Sequence, residues 1–279
     1  MDATSATWKD YRELKRDRQH TVTGSLLVLP DFHSPELGNV RDVLAYLPPS
    51  YHQSDRSYPV IYMHDGQNLF DEVTSFSGEW DVDRTMDAAS RSGLEAIVIG
   101  IPNAGPERMA EYSPFVDPKH GGGEGDVYLD FIIDTLKPRV DADLRTRPDR
   151  ESTGIFGSSL GALLSLHGFF QRPDVFSFAG AMSPAFWFAD GAIFRSVKNA
   201  RYNPGRIYLD VGTKEGALTV RNARRMRTLL HSRGYDAGHQ LMYVEERGAG
   251  HTEAAWRRRL GRSMEFLLRP ISERRRAPR

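Results

Sequence analysis

The sequence predicts an α/β protein with a central, mostly parallel sheet of eight strands and helices on both faces. Two patterns predict it. Short apolar, β-branched runs recur along the whole chain, and from the third run onward segments of helical periodicity fill the gaps between them. The middle runs are apolar almost throughout, as strands covered on both faces must be.

The expected strands are residues 21–30 (TVTGSLLVLP), 40–47 (VRDVLAYL), 59–64 (PVIYMH), 96–102 (AIVIGIP), 152–157 (STGIFG), 178–182 (FAGAM), 206–211 (RIYLDV) and 240–245 (QLMYVE). No helical pattern separates the first two, so they are expected to form an antiparallel edge. The expected helices are 80–92, 126–136, 160–170, 219–233 and 252–268. The second carries Val127, Leu129, Phe131, Ile132 and Leu136 as a core stripe, and the fourth carries Met226, Leu229 and Leu230. The Gly-rich stretch 120–125 reads as a loop. No internal repeat is visible, and one domain over 20–269 is expected, with an N-terminal extension at 1–19 and an Arg-rich tail at 270–279.

Composition narrows the functional classes. No apolar run approaches the roughly 20 residues of a membrane-spanning helix. The chain has no cysteine, which excludes a disulfide scaffold, a cysteine nucleophile and a thiolate metal site. Its 37 basic and 37 acidic residues balance, so the overall basic footprint of a nucleic-acid binder is missing. The charge is uneven: from Arg257 to Arg279 nine arginines face two glutamates. A solvated tail is the ordinary reading of the last ten residues, 270–279. The first 20 residues are polar and carry no apolar leader core, which makes cytoplasmic the default compartment.

In sheets of this kind, sites gather beyond the carboxyl ends of the strands. Gly157-Ser158-Ser159-Leu160-Gly161 follows the fifth strand and opens a helix. A sharp strand-to-helix turn lifts a central serine above the sheet, and small flanking residues let strand and helix pass close. The alternative is a Gly-rich turn with a capping serine. A serine hydroxyl needs a base at neutral pH, and the expected chain order is serine, acid, histidine. Of the nine histidines, only His251 lies on a loop after the last strand. After the seventh strand, Asp210 and Glu215 both offer a carboxylate. Glu215 is favoured because it lies beyond the strand, where it can reach a neighbouring loop; Asp210 stays open. The acid's work is to hold the imidazole tautomer and stabilise the imidazolium.

Acyl chemistry also needs donors for a developing oxyanion, and losing one costs roughly 3–4 kcal/mol of barrier. The expected donors are the backbone N–H of Leu160 and that of Gln67, on the loop after the third strand where Gly66 lets the chain turn. A metal cluster of His64, Asp65 and Asp71 is the weaker alternative, because no second matched set stands at ligand spacing. Phe186 and Trp187, with Phe188, follow the sixth strand and either line a substrate pocket or pack in the core. Arg108 and Glu111 are expected to pair as a structural clamp.

These residues resemble the putative-esterase family of α/β hydrolases, which includes enterochelin esterases, feruloyl and acetyl xylan esterases and the mycolyltransferase antigens. The matching pieces are Leu47-Pro-Pro-Ser-Tyr51, His64-Asp-Gly-Gln-Asn-Leu-Phe-Asp71, Trp80, Arg108-Met-Ala-Glu-Tyr112, Gly157–Gly161, Met182-Ser-Pro184, Asp210-Val-Gly-Thr-Lys-Glu215 and Gly250-His251, spread over residues 40–268. The resemblance implies an α/β-hydrolase fold without a large helical cap, a Ser159–His251–Glu215 triad, oxyanion amides on Gln67 and Leu160, no cofactor and no metal. Family members vary in the acid, and some work as a Ser–His dyad. The expected activity is hydrolysis of a small to medium carboxylic ester through an acyl-enzyme. The alternatives are acyl transfer at the same site, a non-catalytic binding module, or nucleic-acid contact through the Arg-rich end.

Overall fold

Alternation of side chains along each central strand sends every second residue to the opposite face, and this divides the protein interior into two cores. In the computed structural model, which describes residues 6–15 and 19–269, the chain runs β1 (Lys9–Asp10), α1 (Tyr11–Leu14), β2 (Ser25–Ser34), β3 (Asn39–Leu47), β4 (Val60–His64), α2 (Val82–Ser90), β5 (Ile97–Ile101) and α3 (Arg108–Glu111). A two-stranded ribbon, β6 (Val116–Asp117) and β7 (Gly121–Gly122), follows, then α4 (Gly125–Asp130) and α5 (Lys137–Asp143). The rest alternates: β8 (Thr153–Ser158), α6 (Leu160–Gln171), β9 (Phe178–Met182), α7 (Ala192–Asn199), β10 (Arg206–Gly212), α8 (Ala217–Ser232), β11 (Leu241–Glu246) and α9 (Glu253–Leu268).

One nine-stranded sheet has the order β1-β2-β3-β5-β4-β8-β9-β10-β11. From β5 to β11 all neighbours are parallel, and β1, β2 and β3 form the antiparallel edge. All eight expected strands are present, and Lys9–Asp10, from the segment read as an extension, pairs with β2 as a ninth. In β4, Val60 and Tyr62 enter one core while Ile61 and Met63 enter the other. The first core lies under α4 to α8, and the second under α2 and α9. Among the described residues no large helical cap stands over the sheet, as the resemblance implies.

Three of the expected segments differ from expectation for local reasons. β2 runs past Pro30 to Ser34 because the register shifts between Leu29 and Phe32, and a bulge tolerates the missing proline N–H. The helix expected over 126–136 continues to Asp143, with a π turn at Phe131–Leu136 whose wider spacing gives the Pro138 ring room. The Gly-rich stretch forms half of the β6–β7 ribbon.

The order of connections positions the site. From β4 the chain moves outward to β5, and the next sheet strand, β8, lies on the other side of β4. The crevice beyond the ends of β4 and β8 is therefore the switch point at which such sheets bind ligands.

Close packing between strands also fixes residue size. Phe156 lies against Gly180, its register partner on β9, where an added Cβ would fall 2.0 Å from the ring. Gly180→Ala must displace a fully buried Phe156, and overpacking of this kind costs about 1–3 kcal/mol. Urea unfolding should show that loss as a lower midpoint with an unchanged slope; an unchanged midpoint contradicts the packing argument.

Candidate active site

The residue directly after β8, Ser159, has φ 56° and ψ −118°, a conformation that costs a non-glycine residue. Its surroundings hold it there. The Ser159 N–H donates to the Met182 carbonyl at 3.0 Å, continuing the ladder with β9, while its carbonyl accepts from Leu163 and Ala185 at 3.1 and 3.0 Å. A Cβ at Gly157 would sit 2.8 Å from both the Gly161 backbone and the His64 ring. Strand, helix and imidazole thus meet at one point, which is why both flanking residues are glycine. His64 is buried, and that burial depresses its pKa to about 3, so it is a neutral packing group.

The loop after β4 turns at Asp65 (φ 56°, ψ 45°), and the role of Gly66 is different from the turning one expected. Its Cα passes the end of β5 so closely that a Cβ would lie 2.6 Å from the Pro102 nitrogen. Asp65 is held by Arg108, which donates Nε to Oδ1 at 2.7 Å and Nη2 to Oδ2 at 2.8 Å, and by Asn103 at 2.6 Å. Burial raises the Asp65 pKa, but these bonds outweigh it and hold the carboxyl below its ordinary value. Among the described residues the N–H groups of Gln67 and Leu160 take no protein acceptor.

That arrangement corrects the expected clamp. Arg108 pairs with Asp65, not with Glu111, while Glu111 is buried under a fork from Arg41 at 2.7 and 3.0 Å. The single turn of α3 points the two side chains at different neighbours, one toward the loop after β4 and the other toward β3. The residues of the weaker metal alternative are likewise dispersed. His64 meets Tyr128, Asp65 meets Arg108, and Asp71 meets Tyr11, His20 and Thr21.

β10 and β11 pair in parallel register as far as Gly212 and Glu246, so the loops that follow lie side by side. Lys214 N–H bonds the Ala249 carbonyl at 2.9 Å, fastening one loop to the other. Glu215 Oε2 then stands 3.0 Å from His251 Nδ1. The Glu215 side chain is fully buried, whereas that of His251 is 41% exposed. Asp210 does not reach the histidine. It accepts from Arg259 Nε at 2.8 Å, the Tyr208 hydroxyl at 3.0 Å and the Ser183 N–H at 3.0 Å. Burial pushes its pKa up to about 6 against those contacts.

Ser183, Trp256 and Arg259 are the residues that sequence reasoning missed. Ser183 follows β9 directly, has φ 46° and is fully buried. Its hydroxyl receives Trp256 Nε1 and Arg259 Nη2, each at 2.8 Å, and donates to Glu215 Oε1 at 2.6 Å. Indole and guanidinium can only donate. The single hydroxyl proton must therefore point at Glu215. Gly212 N–H adds a second donor to the same oxygen at 2.6 Å. Burial alone would raise the Glu215 pKa, but the bonds from His251, Ser183 and Gly212 outweigh it and hold the carboxyl below its ordinary value. An ionised Glu215 can only accept, so the Nδ1 of His251 carries a proton, and in the neutral imidazole Nε2 is then the nitrogen with the lone pair. Among the described residues no hydrogen bond joins Nε2 to the Ser159 hydroxyl.

Of the aromatic trio, Phe186 and Phe188 are fully buried in the core and only Trp187, 41% exposed, reaches the surface. The Arg-rich tail lies outside the described residues. Among the described residues no helix is long and apolar enough to cross a membrane.

Comparison with known proteins supplies the class. A model of the family described as putative esterase matches residues 34–267. The chain belongs to that family and is a carboxylesterase-type hydrolase of the α/β-hydrolase fold. The uncharacterised protein YbbA of Bacillus subtilis is 26% identical over 245 residues, covering 82% of this chain and 93% of that one. The siderophore triacetylfusarinine C esterase of Aspergillus fumigatus is 34% identical over 148 residues, 50% of this chain and 48% of that enzyme. The match therefore spans about half of the named esterase. Among solved structures, the BES protein of Bacillus cereus shares the fold with a TM-score of 0.71 at 22% identity, over 91% of this chain and 98% of that one.

The hub predicts a pH effect. Ser183→Ala removes one donor from a carboxylate, a bond worth roughly 1.5 kcal/mol, or about one pH unit of Glu215 pKa. A depressed carboxyl stays charged until pH falls through its low value. Removing the donor raises that value, so the Glu215 carboxyl, followed by ¹³C NMR, should take up its proton about one pH unit higher in Ser183→Ala than in wild type. A Glu215 titration that stays in place contradicts the assignment.

Proposed function

We propose that the protein is a serine ester hydrolase that works through an acyl-enzyme, with Ser159 as nucleophile, His251 as general base and acid, and Glu215 as the acid that orients the imidazole. One observation carries the reading. His251 is held by a buried, ionised Glu215 at 3.0 Å through Nδ1, on the same sheet edge as a serine in strained turn geometry.

The steps follow from those positions. Ser159 Oγ attacks the ester carbonyl while Nε2 of His251 takes its proton. Charge that develops on the carbonyl oxygen is met by the N–H groups of Gln67 and Leu160, which have no competing protein acceptor among the described residues. The imidazolium formed is stabilised by Glu215 and returns its proton to the leaving alcohol. Water, activated by the same histidine, then clears the acyl group. The exposure of His251 gives water access to this second half-reaction. The hydrogen bond between Ser159 and His251 is expected to tighten when substrate enters, as such bonds do.

The substrate proposed is a small to medium carboxylic ester, and the partial match to a siderophore esterase supports including lactone esters in a substrate panel. Ser159→Ala should lower p-nitrophenyl butyrate hydrolysis by roughly 10⁴-fold or more, with an unchanged melting temperature. A folded Ser159→Ala variant as active as wild type sinks the reading.

A further inference from the structure

A second feature lies beside the site. β9 and β10 are parallel neighbours with Asp210 in register with Met182, so the loops beyond them start from adjoining points of the sheet edge. The loop after β9 carries Ala185, bonded to the Ser159 carbonyl, and then Phe186 and Trp187. The loop after β10 carries Glu215 and opens α8. Past these loops, between Phe186, Trp187 and the start of α7 on one side and α8 on the other, runs a groove of about 360 Å³.

Its lining is specific. Phe186 and Phe194 form a buried apolar floor, their rings 5.8 Å apart and edge-on. Trp187 and Leu218 form exposed lips, and the lip at Trp187 is braced by His120 from the segment between β6 and β7, edge-on at 5.6 Å. The remaining wall is cationic: Arg221 and Arg225 stand one helical turn apart on α8. The Arg225 guanidinium lies 3.9 Å from the centre of the Phe194 ring. Among the described residues neither arginine takes a carboxylate partner, while Arg224, between them, is forked onto Glu245 at 2.6 and 2.8 Å. Asp190 is the one acid in the wall. Two like charges four residues apart oppose helix formation, and among the described residues neither is matched by an ion pair.

We propose that this groove is a subsite for an anionic group on the ester substrate, a carboxylate carried by the acyl chain, read by Arg221 and Arg225. The inference rests on the serine-hydrolase reading. A planar guanidinium matches a carboxylate in fork geometry. Apolar walls lower the local dielectric and strengthen the attraction. Trp187 and Leu218, the exposed lips above the phenylalanine floor, take the hydrocarbon between ester and anion, so the groove selects an amphiphilic acyl chain over a neutral one of equal length.

The test compares mono-p-nitrophenyl esters of C4 to C8 dicarboxylic acids with p-nitrophenyl esters of neutral acids of matched length, at low salt. The readout is the ratio of kcat/KM for anionic over neutral ester, which cancels any general change in activity. Wild type should favour the anionic ester by about tenfold or more at one chain length, through KM, and 0.5 M NaCl should erode the preference. Arg221→Glu, at an exposed position with no ring contact, should bring the ratio to one or below. The Arg221→Gln/Arg225→Gln pair should do the same. A wild-type ratio near one at every length, or a preference that survives Arg221→Glu, overturns the subsite. A wild type that cleaves no ester, or a Ser159→Ala variant that cleaves both kinds as fast as wild type, overturns the underlying reading instead, and the subsite falls with it.

Discussion

Glu215 is a carboxylate removed from water, and everything at the site depends on how that charge is held. Removing an ion from water costs several kcal/mol unless its lone pairs are filled. Here they are filled by donors alone: the Ser183 hydroxyl and Gly212 N–H on one oxygen and His251 on the other. The direction of every proton follows from groups that cannot accept, Trp256 and Arg259 at the far end of the chain of bonds. Replacing Glu215 by glutamine would break that order, because an amide must turn either its oxygen or its NH₂ toward His251.

The sheet supplies the pieces from separate segments of sequence. Asp65, Ser159 and Ser183 are each the first residue beyond a strand, β4, β8 and β9, and each has a positive φ without being glycine. Strain of this kind costs on the order of 1–3 kcal/mol per residue and persists only where surrounding structure over-determines it. Arg108 and Asn103 hold the first, the β8–β9 ladder and Ala185 hold the second, and the bonds to Asp210 and Arg259 hold the third. Three strained turns thus set Asp65, Ser159 and Ser183 at the carboxyl ends of β4, β8 and β9.

Much of this was legible in the sequence, and the limits have physical causes. The strands could be read because burial on both faces makes them continuously apolar. Ser159, Glu215 and His251 stood out because chemistry requires their types at the ends of particular strands. Ser183 stood in the matching piece Met182-Ser-Pro184, but its role could not be read, since one serine after a strand does not show its partners until Trp256 and Arg259 are folded onto it from more than 70 residues away. The partner of Arg108 was misjudged because proximity in sequence suggested Glu111, whereas tertiary packing gave Arg108 to Asp65 and Glu111 to Arg41. α7 was missed because eight residues with Ile193, Phe194 and Val197 inside give too short a period to distinguish.

The central claim is that the hydrogen-bond chain ending at Glu215 fixes the tautomer of His251. The most direct measurement is ¹⁵N NMR of the wild-type protein with labelled histidine, near neutral pH, with His251 assigned by its absence in His251→Gln. The network predicts a protonated Nδ1, with its proton shifted downfield by the bond to Glu215, and a bare Nε2. A His251 that carries its proton on Nε2, with Nδ1 bare, would contradict it.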